Sequence, residues 1–318
     1  MPVFGDKLKV HKKGLKASSI ETYQRNIKRL RKVHGELPVP VSDSKWLTTK
    51  KMFVWYDKQP LNIRRHMSTA ATVALGVYKT ESKEWKERQH KAMKEFDEER
   101  RERQMSDKQK SKMPAKGFDA LKAVISTMKR ELRHVLKKPA DEWTRSDLLR
   151  VQDLLIISLY YDNPLRLDFA TLHLGKTDKG NSIYKNMHKP RGWHINLREY
   201  KTAKTMGDRV IKPNTANQRL LNKIMPAIKH LTEHGYLLTN QAGGKMTKQV
   251  LSKRLMSITK KKLGKDFSVQ LLRILFAMKN RQVLESAKEV AMKMLHSTEQ
   301  SLQYAKKDPK SDKKKSKQ

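Results

Sequence analysis

The sequence of 318 residues has no cysteine and few acidic residues, with 32 Asp and Glu against 71 Lys and Arg. The absence of cysteine excludes a disulfide framework, a thiol nucleophile and cysteine-ligated zinc or iron–sulfur sites. Long apolar runs are also missing: no segment is apolar over the length that spans a bilayer, and the N-terminus lacks the apolar segment of a signal peptide. We therefore expect a soluble, intracellular protein with no membrane partner.

The formal net charge of +39 predicts a polyanionic partner. Nucleic acid is the expected partner, in preference to the weaker alternative of an anionic membrane surface. Residues 306–318 hold seven Lys and two Asp, so most of the excess positive charge lies outside this tail. We expect the tail to be disordered, and either to contact phosphates without specificity or only to aid solubility.

Hydrophobic periodicity predicts a mainly α protein with a small β-sheet. Near the N-terminus, Ser18-x-x-Glu21 has the pattern of a capping box, and apolar residues then recur at helical spacing as far as Gly35. Residues 52–77 predict one or two short helices. The exposed face of the first helix is predicted either to contact phosphate or to be simply solvated, and its cations are Arg25, Lys28, Arg29, Arg31 and Lys32.

The segment from Glu81 to Lys112 is almost entirely charged or polar. Such a segment cannot bury a continuous apolar stripe, so we expect an exposed helix that leads into a flexible connector, with a domain boundary near residue 110. The predicted organisation is an N-terminal arm (1–16), a helical domain with its connector (17–110), a mostly helical domain with a small sheet (111–305) and the basic tail (306–318).

Beyond residue 110 the pattern predicts further helices and one β-hairpin. A helix that starts at Ser146 is apolar on most faces and should end before Asn163-Pro164. Strand-like alternation on both sides of residues 206–208 indicates the hairpin. The predicted ranges are helices over 118–135, 215–234, 247–263, 268–280 and 283–295, a short helix after His296, and the hairpin over 193–211.

Two arginines stand where apolar residues are expected. Arg166 follows the apolar helix in YYDNPLRLDFATL, and Arg273 interrupts the apolar run of SVQLLRILFA. A buried guanidinium is costly unless it is paired, so each arginine pairs either with an acid such as Asp168 or with a phosphate that both arginines bind. No HExxH, GxGxxG or complete GxxxxGK[ST] motif occurs, and the histidines lack metal-ligand spacing, so we expect no metal and no cofactor.

The order of these boxes resembles the catalytic domain of tyrosine recombinases, the phage-type integrases. The first arginine box of that family matches YYDNPLRLDFATL at Arg166, and the second matches SVQLLRILFA with Gln270 and Arg273. The third box matches MLHSTEQSLQY with His296 and Tyr304. Upstream, SSIETYQRNIKRLRKV resembles the first helix of the family's core-binding domain, and the style of the boxes is similar to integrases of mobile elements and large DNA viruses.

The resemblance also supplies a hairpin lysine, from the segment EYKTAKTMGDRVI. The spacing to Pro213 favours Lys204 as this lysine, with Lys201 as the alternative. With Lys204 in that role, Lys201 is expected to contact DNA. Three departures from the family pattern are visible. Gln270 stands where the family has His or Lys, Leu295 replaces a glycine, and the spacing from the third-box His to the Tyr is one residue short.

The resemblance implies a helical core-binding domain followed by a mixed, mostly helical catalytic domain. It further implies that the protein cuts and rejoins DNA through a covalent 3′-phosphotyrosine on Tyr304, without metal or cofactor. Arg166 and Arg273 would contact the scissile phosphate, Lys204 would protonate the leaving 5′ oxygen, and His296 would donate a hydrogen bond. The expected partners are double-stranded DNA and a homotetramer on paired sites, and the expected location is with host DNA or in a virion.

Other basic residues are predicted to hold the duplex beside the reacting phosphate. Lys248, Lys253 and Arg254 lie on the helix that begins after Thr247, and with the basic N-terminal helix they would grip DNA from two sides. Two other functions stay open. A type IB topoisomerase-like enzyme would use similar chemistry, and a non-catalytic DNA-binding protein on a decayed recombinase fold would explain Gln270.

Overall fold

The computed structural model describes residues 2–35, 44–101 and 105–293, and the chain divides into two compact units between Ser106 and Asp107. Both units are mainly helical, and the second contains a mixed four-stranded sheet, which confirms the predicted fold class. Within the ranges given, no helix combines the length and the apolar character needed to cross a bilayer.

The described part of the first unit consists of helices around one apolar core. Trp85, Tyr56 and Ile27 are almost completely buried in that core. The indole of Trp85 also donates a hydrogen bond of 2.8 Å to the carbonyl of Leu47, so the largest core side chain has its polar atom satisfied. The helices are α1 (Pro2–His11), α2 (Ala17–His34), α3 (Lys50–Asp57), α4 (Leu61–Val77) and α5 (Lys83–Arg101), with a 3₁₀ turn over Lys45–Thr48.

The N-terminal segment is not the separate arm predicted over residues 1–16. Phe4 and Leu8 of α1 are buried in the same core as the other helices of this unit. The two side chains are four residues apart and therefore lie on the same face of a helix. This short apolar face, which the sequence analysis overlooked, attaches α1 to α2 and α4.

Helix α2 matches its predicted span but differs in two details. Ile20, Ile27 and Leu30 are buried as the periodicity predicts, and Gly35 ends the helix with a left-handed φ of 102°. The N-cap is Lys16, and no side chain caps the helix, so the predicted capping box at Ser18 is wrong. Arg31 is also not exposed as predicted, since it lies beside Leu30 on the buried face and is only 5% exposed.

Helix α5 is less exposed than its charged sequence predicts. Trp85 and Ala92 are buried against the rest of the unit. Two salt bridges hold the same helix to its neighbours, from Arg88 to Asp57 of α3 at 2.9 Å and from Glu95 to Arg64 of α4 at 2.7 Å. A few well-placed anchors and ion pairs therefore substitute for the continuous apolar stripe that the segment lacks.

The second unit begins with a helix in the segment predicted to be a flexible connector. Lys112 of this helix pairs with Asp266 at 2.5 Å, and Lys265 donates hydrogen bonds to the carbonyls of Ser111 and Met113. These contacts attach residues 107–113 to the second unit. The helices of this unit in the described range are α6 (Asp107–Lys112), α7 (Ala120–Glu131), α8 (Arg133–Lys137), α9 (Arg145–Asp162), α10 (Ala203–Met206), α11 (Thr215–Leu231), α12 (Lys248–Leu263), α13 (Val269–Lys279) and α14 (Arg281–Lys293).

Helix α9 lies at the centre of the second unit, as its all-round apolar sequence predicts. Leu154, Leu155 and Ile157 are fully buried. The helix begins at a capping box between Thr144 and Asp147, one residue earlier than predicted, and its C-cap is Asn163 before the proline. Its end fixes where the following turn, with Arg166, leaves the core. The predicted 118–135 helix is divided into α7 and α8.

The sheet has the strand order β1-β2-β3-β4. Strand β1 (His173–Leu174) pairs parallel with β2 (Ser182–Asn186), and β2 and β4 (Arg209–Ile211) flank β3 (Gly192–Leu197) in antiparallel pairs. The predicted hairpin is confirmed as β3 and β4, although its connection contains α10 rather than a tight turn. Strands β1 and β2 were not predicted. The two residues of β1 are too few to show a periodic pattern.

Candidate active site and DNA-contact surfaces

Arg166 is held through its backbone at the end of α9. The buried Tyr160 of α9 donates a hydrogen bond from Oη to the carbonyl oxygen of Arg166 at 2.8 Å. Its ring lies perpendicular to that of Phe169, with 5.1 Å between the centroids. The backbone of Arg166 is thus anchored to the core, while its side chain is half-buried.

Arg273 is positioned by α13. Ser268 caps this helix by accepting a hydrogen bond from the amide of Leu271 at 3.2 Å. Leu272 and Leu275 face the core and are buried, whereas Arg273 is half-buried on a neighbouring face. The helical repeat therefore places a cation inside an apolar run without burying it completely.

Asp168 lies near both predicted arginines and near a lysine. The carboxylate is only 7% exposed, and Nζ of Lys248 at the start of α12 lies 3.9 Å from its Oδ1. Burial raises the pKa of Asp168, and the positive charges of Lys248, Arg166 and Arg273 act in the opposite direction with a smaller combined effect. Three cations from separate segments therefore lie close enough to one carboxylate to act on it electrostatically.

These contacts leave both arginines with unused hydrogen-bonding capacity. Among the residues that the structure describes, neither Arg166 nor Arg273 forms a side-chain hydrogen bond or a salt bridge, and Asp168 forms its one ion pair with Lys248. A single carboxylate cannot balance three nearby cations, so the cluster carries net positive charge. It has the donors and the charge to bind a phosphate with its non-bridging oxygens.

Gln270 lies one helical turn before Arg273 and is exposed. Side chains three residues apart on a helix are neighbours, so the amide lies next to the guanidinium of Arg273 on the surface of α13. An amide donates and accepts hydrogen bonds but does not titrate. Gln270 can therefore contribute a hydrogen bond to a ligand of Arg273 but no proton.

The two candidate lysines lie in the connection between β3 and β4. Lys204 belongs to α10, and Lys201 precedes it; both are exposed. Both ammonium groups lack a hydrogen-bond partner in the described part of the chain. Nothing in their surroundings distinguishes the two as a proton donor.

The basic face of α2 retains four of its five predicted cations. Arg25, Lys28, Arg29 and Lys32 are exposed, and their spacing of three and four residues places them in one stripe along the helix. None of the four forms a hydrogen bond or a salt bridge within the described ranges. This stripe, named the α2 basic stripe, can therefore contact phosphates without first breaking internal ion pairs.

The basic residues of α12 differ from one another in their surroundings. Lys253 is exposed, and Lys248 is exposed but turned towards Asp168. Arg254 instead forms a two-point salt bridge with Asp153 of α9, at 2.5 and 2.8 Å. The prediction that Arg254 contacts DNA is thus not supported by its geometry, because its guanidinium already binds a largely buried carboxylate. A cavity of about 410 Å³ between α9, residues 239–246 and α12 opens beside this pair.

The sequence analysis overlooked a group of polar residues at the base of the connection between β3 and β4, which carries Lys201 and Lys204. Asn181 accepts hydrogen bonds from the backbone at the start of this connection, and Arg198 donates one to Asp208 at its end. Asn181 is the last residue of a charged, glycine-containing stretch, KTDKGN, which is typical of any surface loop. No sequence signal therefore distinguished it from a solvated loop residue.

Two predicted catalytic residues, His296 and Tyr304, lie outside the described residues, as does the 306–318 tail. Their predicted roles stay predictions. Across the described ranges, no group of three or more acidic or histidine side chains is arranged to bind a metal ion.

The comparisons with known proteins identify no relative by sequence. No family model matches the chain, and no curated protein matches it. Among solved structures, the chain is similar to the crystal structure of XerA recombinase, with 12% sequence identity and a TM-score of 0.37. The match covers 98% of this chain and 96% of the other.

Proposed function

We propose that this protein is a DNA strand transferase of the tyrosine recombinase type. Its motifs resemble that family in order and chemistry, from Arg166 to Tyr304. The observation that carries the proposal is the common position of Arg166 and Arg273 around Asp168, although the two arginines are distant in sequence. Neither guanidinium group has a hydrogen-bond partner within the described residues, so both can donate to a phosphate.

In this proposal the arginines act on the transition state. Attack on a phosphodiester builds negative charge on the non-bridging oxygens, and donors already aimed at those oxygens stabilise that charge. Arg166 and Arg273 bind one oxygen each or share them, and Lys248 adds positive charge at the rim. Asp168 limits the repulsion among the three cations when no DNA is bound.

Tyr304 is the proposed nucleophile, and Lys204 is the proposed general acid, with Lys201 as the alternative. The phenol oxygen of Tyr304 forms a bond to phosphorus as the bond to the 5′ oxygen breaks, and the lysine gives a proton to that oxygen. The phenol proton passes to water. His296 donates a hydrogen bond to the phosphate, and a second DNA end reverses the reaction to join strands, within a homotetramer on paired sites.

The α2 basic stripe and Lys253 provide the proposed grip on the duplex. These cations are exposed and unpaired in the described part of the chain, which suits contacts to the phosphate backbone. Because each neutralised phosphate releases counterions, affinity should fall linearly with salt on a double logarithmic plot. The overall charge of +39 supports the same partner.

The experiment that tests this function is the trapping of a covalent protein–DNA adduct. The full chain is incubated at low salt with duplexes that carry a random insert and closely spaced nicks, so that a cleaved fragment diffuses away before religation. Denatured protein that retains DNA is isolated, the insert is sequenced, and Tyr304→Phe serves as the matched control. An adduct with the native chain that the control does not form supports the proposal, and adduct formation by both contradicts Tyr304 as the nucleophile.

The exposed amide of Gln270 favours one second candidate, a DNA-binding protein without catalysis. Where the family pattern has a titratable His or Lys, this chain has a group that cannot transfer a proton. Salt-dependent DNA binding by a native chain that forms no adduct with any of the insert sequences would select that candidate.

A further inference from the structure

The connection between β3 and β4, residues 198–208, is named the lysine loop because it carries Lys201 and Lys204. Its two ends are adjacent, since Leu197 pairs with Arg209 in the sheet. Gly207 turns the chain back after α10 with φ 64° and ψ −169°, a backbone conformation open mainly to glycine. The loop thus presents two exposed ammonium groups from a short and closed connection.

The side chains of Arg198 and Tyr200 join the beginning of the lysine loop to its end. Nε of Arg198, the first loop residue, donates a hydrogen bond to Oδ2 of Asp208, the last, at 2.8 Å. The phenol of Tyr200 donates to the carbonyl oxygen of Gly207 at 2.6 Å. Arg198 also donates to the carbonyl oxygen of Thr177, and its Nη1 lies 3.5 Å from Oδ1 of Asp178.

Asn181 attaches the start of the loop to the core of the unit. This residue is only 2% exposed, and its Oδ1 accepts hydrogen bonds from the amides of Arg198 and Glu199 at 2.9 and 2.8 Å. Its Nδ2 donates to the carbonyl of Glu199 at 3.1 Å and lies 3.5 Å from Oγ1 of Thr171. Thr171 ends the turn that contains Asp168, so one buried amide joins the base of the lysine loop to the arginine cluster.

We propose that Arg198 and Asp208 form a clasp that positions the catalytic lysine, with Asp208 as a positioning residue that acts through Arg198. The inference rests on the proposed function, because it assigns the clasp to the proton transfer of DNA cleavage. Lysine has a long and flexible side chain, so the position of its Nζ depends on how firmly the loop backbone is held. Proton transfer requires that Nζ lie within about 3 Å of the leaving 5′ oxygen.

The proposal is tested with Asp208→Ala on two substrates that share the sequence recovered in the adduct assay. One is the natural phosphodiester, and the other has sulfur in place of the 5′ bridging oxygen. A thiol has a pKa of about 8.5, so the sulfur leaves as a thiolate and needs no proton from lysine. Asp208→Ala should cleave the natural substrate about tenfold more slowly, since a displacement of about 1 Å can cost as much as a hundredfold. On the sulfur substrate its rate should be within about twofold of the native rate.

Asp178→Ala is the matched control, because Asp178 also approaches Arg198 but is 99% exposed and lies outside the loop. It should cleave both substrates at the native rate. Amide hydrogen exchange over residues 199–206 should accelerate in Asp208→Ala and not in the control. Lys204→Ala and Lys201→Ala are compared on the same two substrates. The variant that cleaves the natural substrate slowly and the sulfur substrate at the native rate identifies the lysine that acts as the general acid.

The possible failures are distinguishable. Equal slowing of both substrates by Asp208→Ala, or slowing of neither, would overturn the clasp as a device for the lysine. Unchanged exchange in the loop would overturn it as well. If exchange is faster in Asp208→Ala but the native chain forms no adduct in the trapping assay, the proposed function has failed, and the assignment of the clasp to catalysis fails with it.

Discussion

The salt bridge between Arg254 and Asp153 allows a prediction about stability that does not depend on the proposed function. Arg254→Met keeps most of the side-chain volume and removes the guanidinium that binds Asp153 at 2.5 and 2.8 Å. The side chain of Asp153 is 19% exposed, so the carboxylate that remains is largely desolvated. Removal of one partner from a buried pair costs about 3–5 kcal/mol, and the partial exposure favours the lower end, about 3 kcal/mol. For a unit of this size the melting temperature should fall by roughly 6–12 °C near pH 7.

The same variant should show a characteristic pH dependence. Burial already raises the pKa of Asp153 above its usual range despite the opposing effect of Arg254. A raised carboxyl pKa stabilises the folded state fully below the unfolded pKa of 3.8, and that contribution is lost as the pH rises through the folded pKa. Without Arg254 the folded pKa rises further, so the deficit of the variant should be smaller at pH 5 than at pH 7.5.

Thermal unfolding followed by circular dichroism at both pH values measures this deficit. Lys253→Met is the matched control, since the neighbouring Lys253 is exposed and unpaired within the described ranges, and its melting temperature should change by no more than about 2 °C. A melting temperature of Arg254→Met equal to the native value at pH 7.5, or a deficit that grows at pH 5, would refute the reasoning.

The remaining predictions concern the proposed reaction. Arg166→Ala and Arg273→Ala should each slow cleavage by orders of magnitude, since one transition-state donor is worth roughly 3–4 kcal/mol, while gel-shift affinity changes little; native cleavage rates in both would favour a structural role beside Asp168. Gln270→His should retain activity and gain rate near neutral pH, where imidazole titrates, whereas complete loss of cleavage would mean that α13 is placed differently from the family pattern. Tyr304→Phe should abolish the adduct and leave affinity intact, and peptide mapping of native adduct to another segment would contradict the assignment. Lys28→Gln should weaken binding similarly on unrelated DNA sequences and reduce the salt slope by about 0.9; an unchanged slope would remove this cation from the interface.

The sequence by itself determined the local structure of much of this protein. The spacing of Ile20, Ile27 and Leu30 is a property of neighbouring residues, and it predicted α2 correctly. The stop at Asn163-Pro164 and the cap at Gly35 follow in the same way from backbone chemistry within a few residues. The apolar character of α9 even predicted its central place, because only a buried helix tolerates apolar residues on most faces.

Only the tertiary structure decided which charged groups are free to act. Arg31 and Arg29 are alike in sequence, but one is buried and the other is exposed, because the helix face that meets the core depends on the packing of the unit. Arg254 resembles Lys253 as a basic residue of α12, yet it is bound to Asp153 on another helix. Ion pairs of this kind join residues far apart in the chain, and no local pattern encodes them.

The candidate site divides in the same manner. The sequence identified Arg166, Arg273 and the two lysines, because cations beside apolar helices are unusual and their order resembles a known family. Only the folded chain shows that Lys248 lies next to Asp168. It also shows the hydrogen bonds of Asn181 and Arg198 that hold the lysine loop. Single residues in the sequence thus identify the candidate groups. The charge balance and the position of these groups depend on other residues that folding brings close to them.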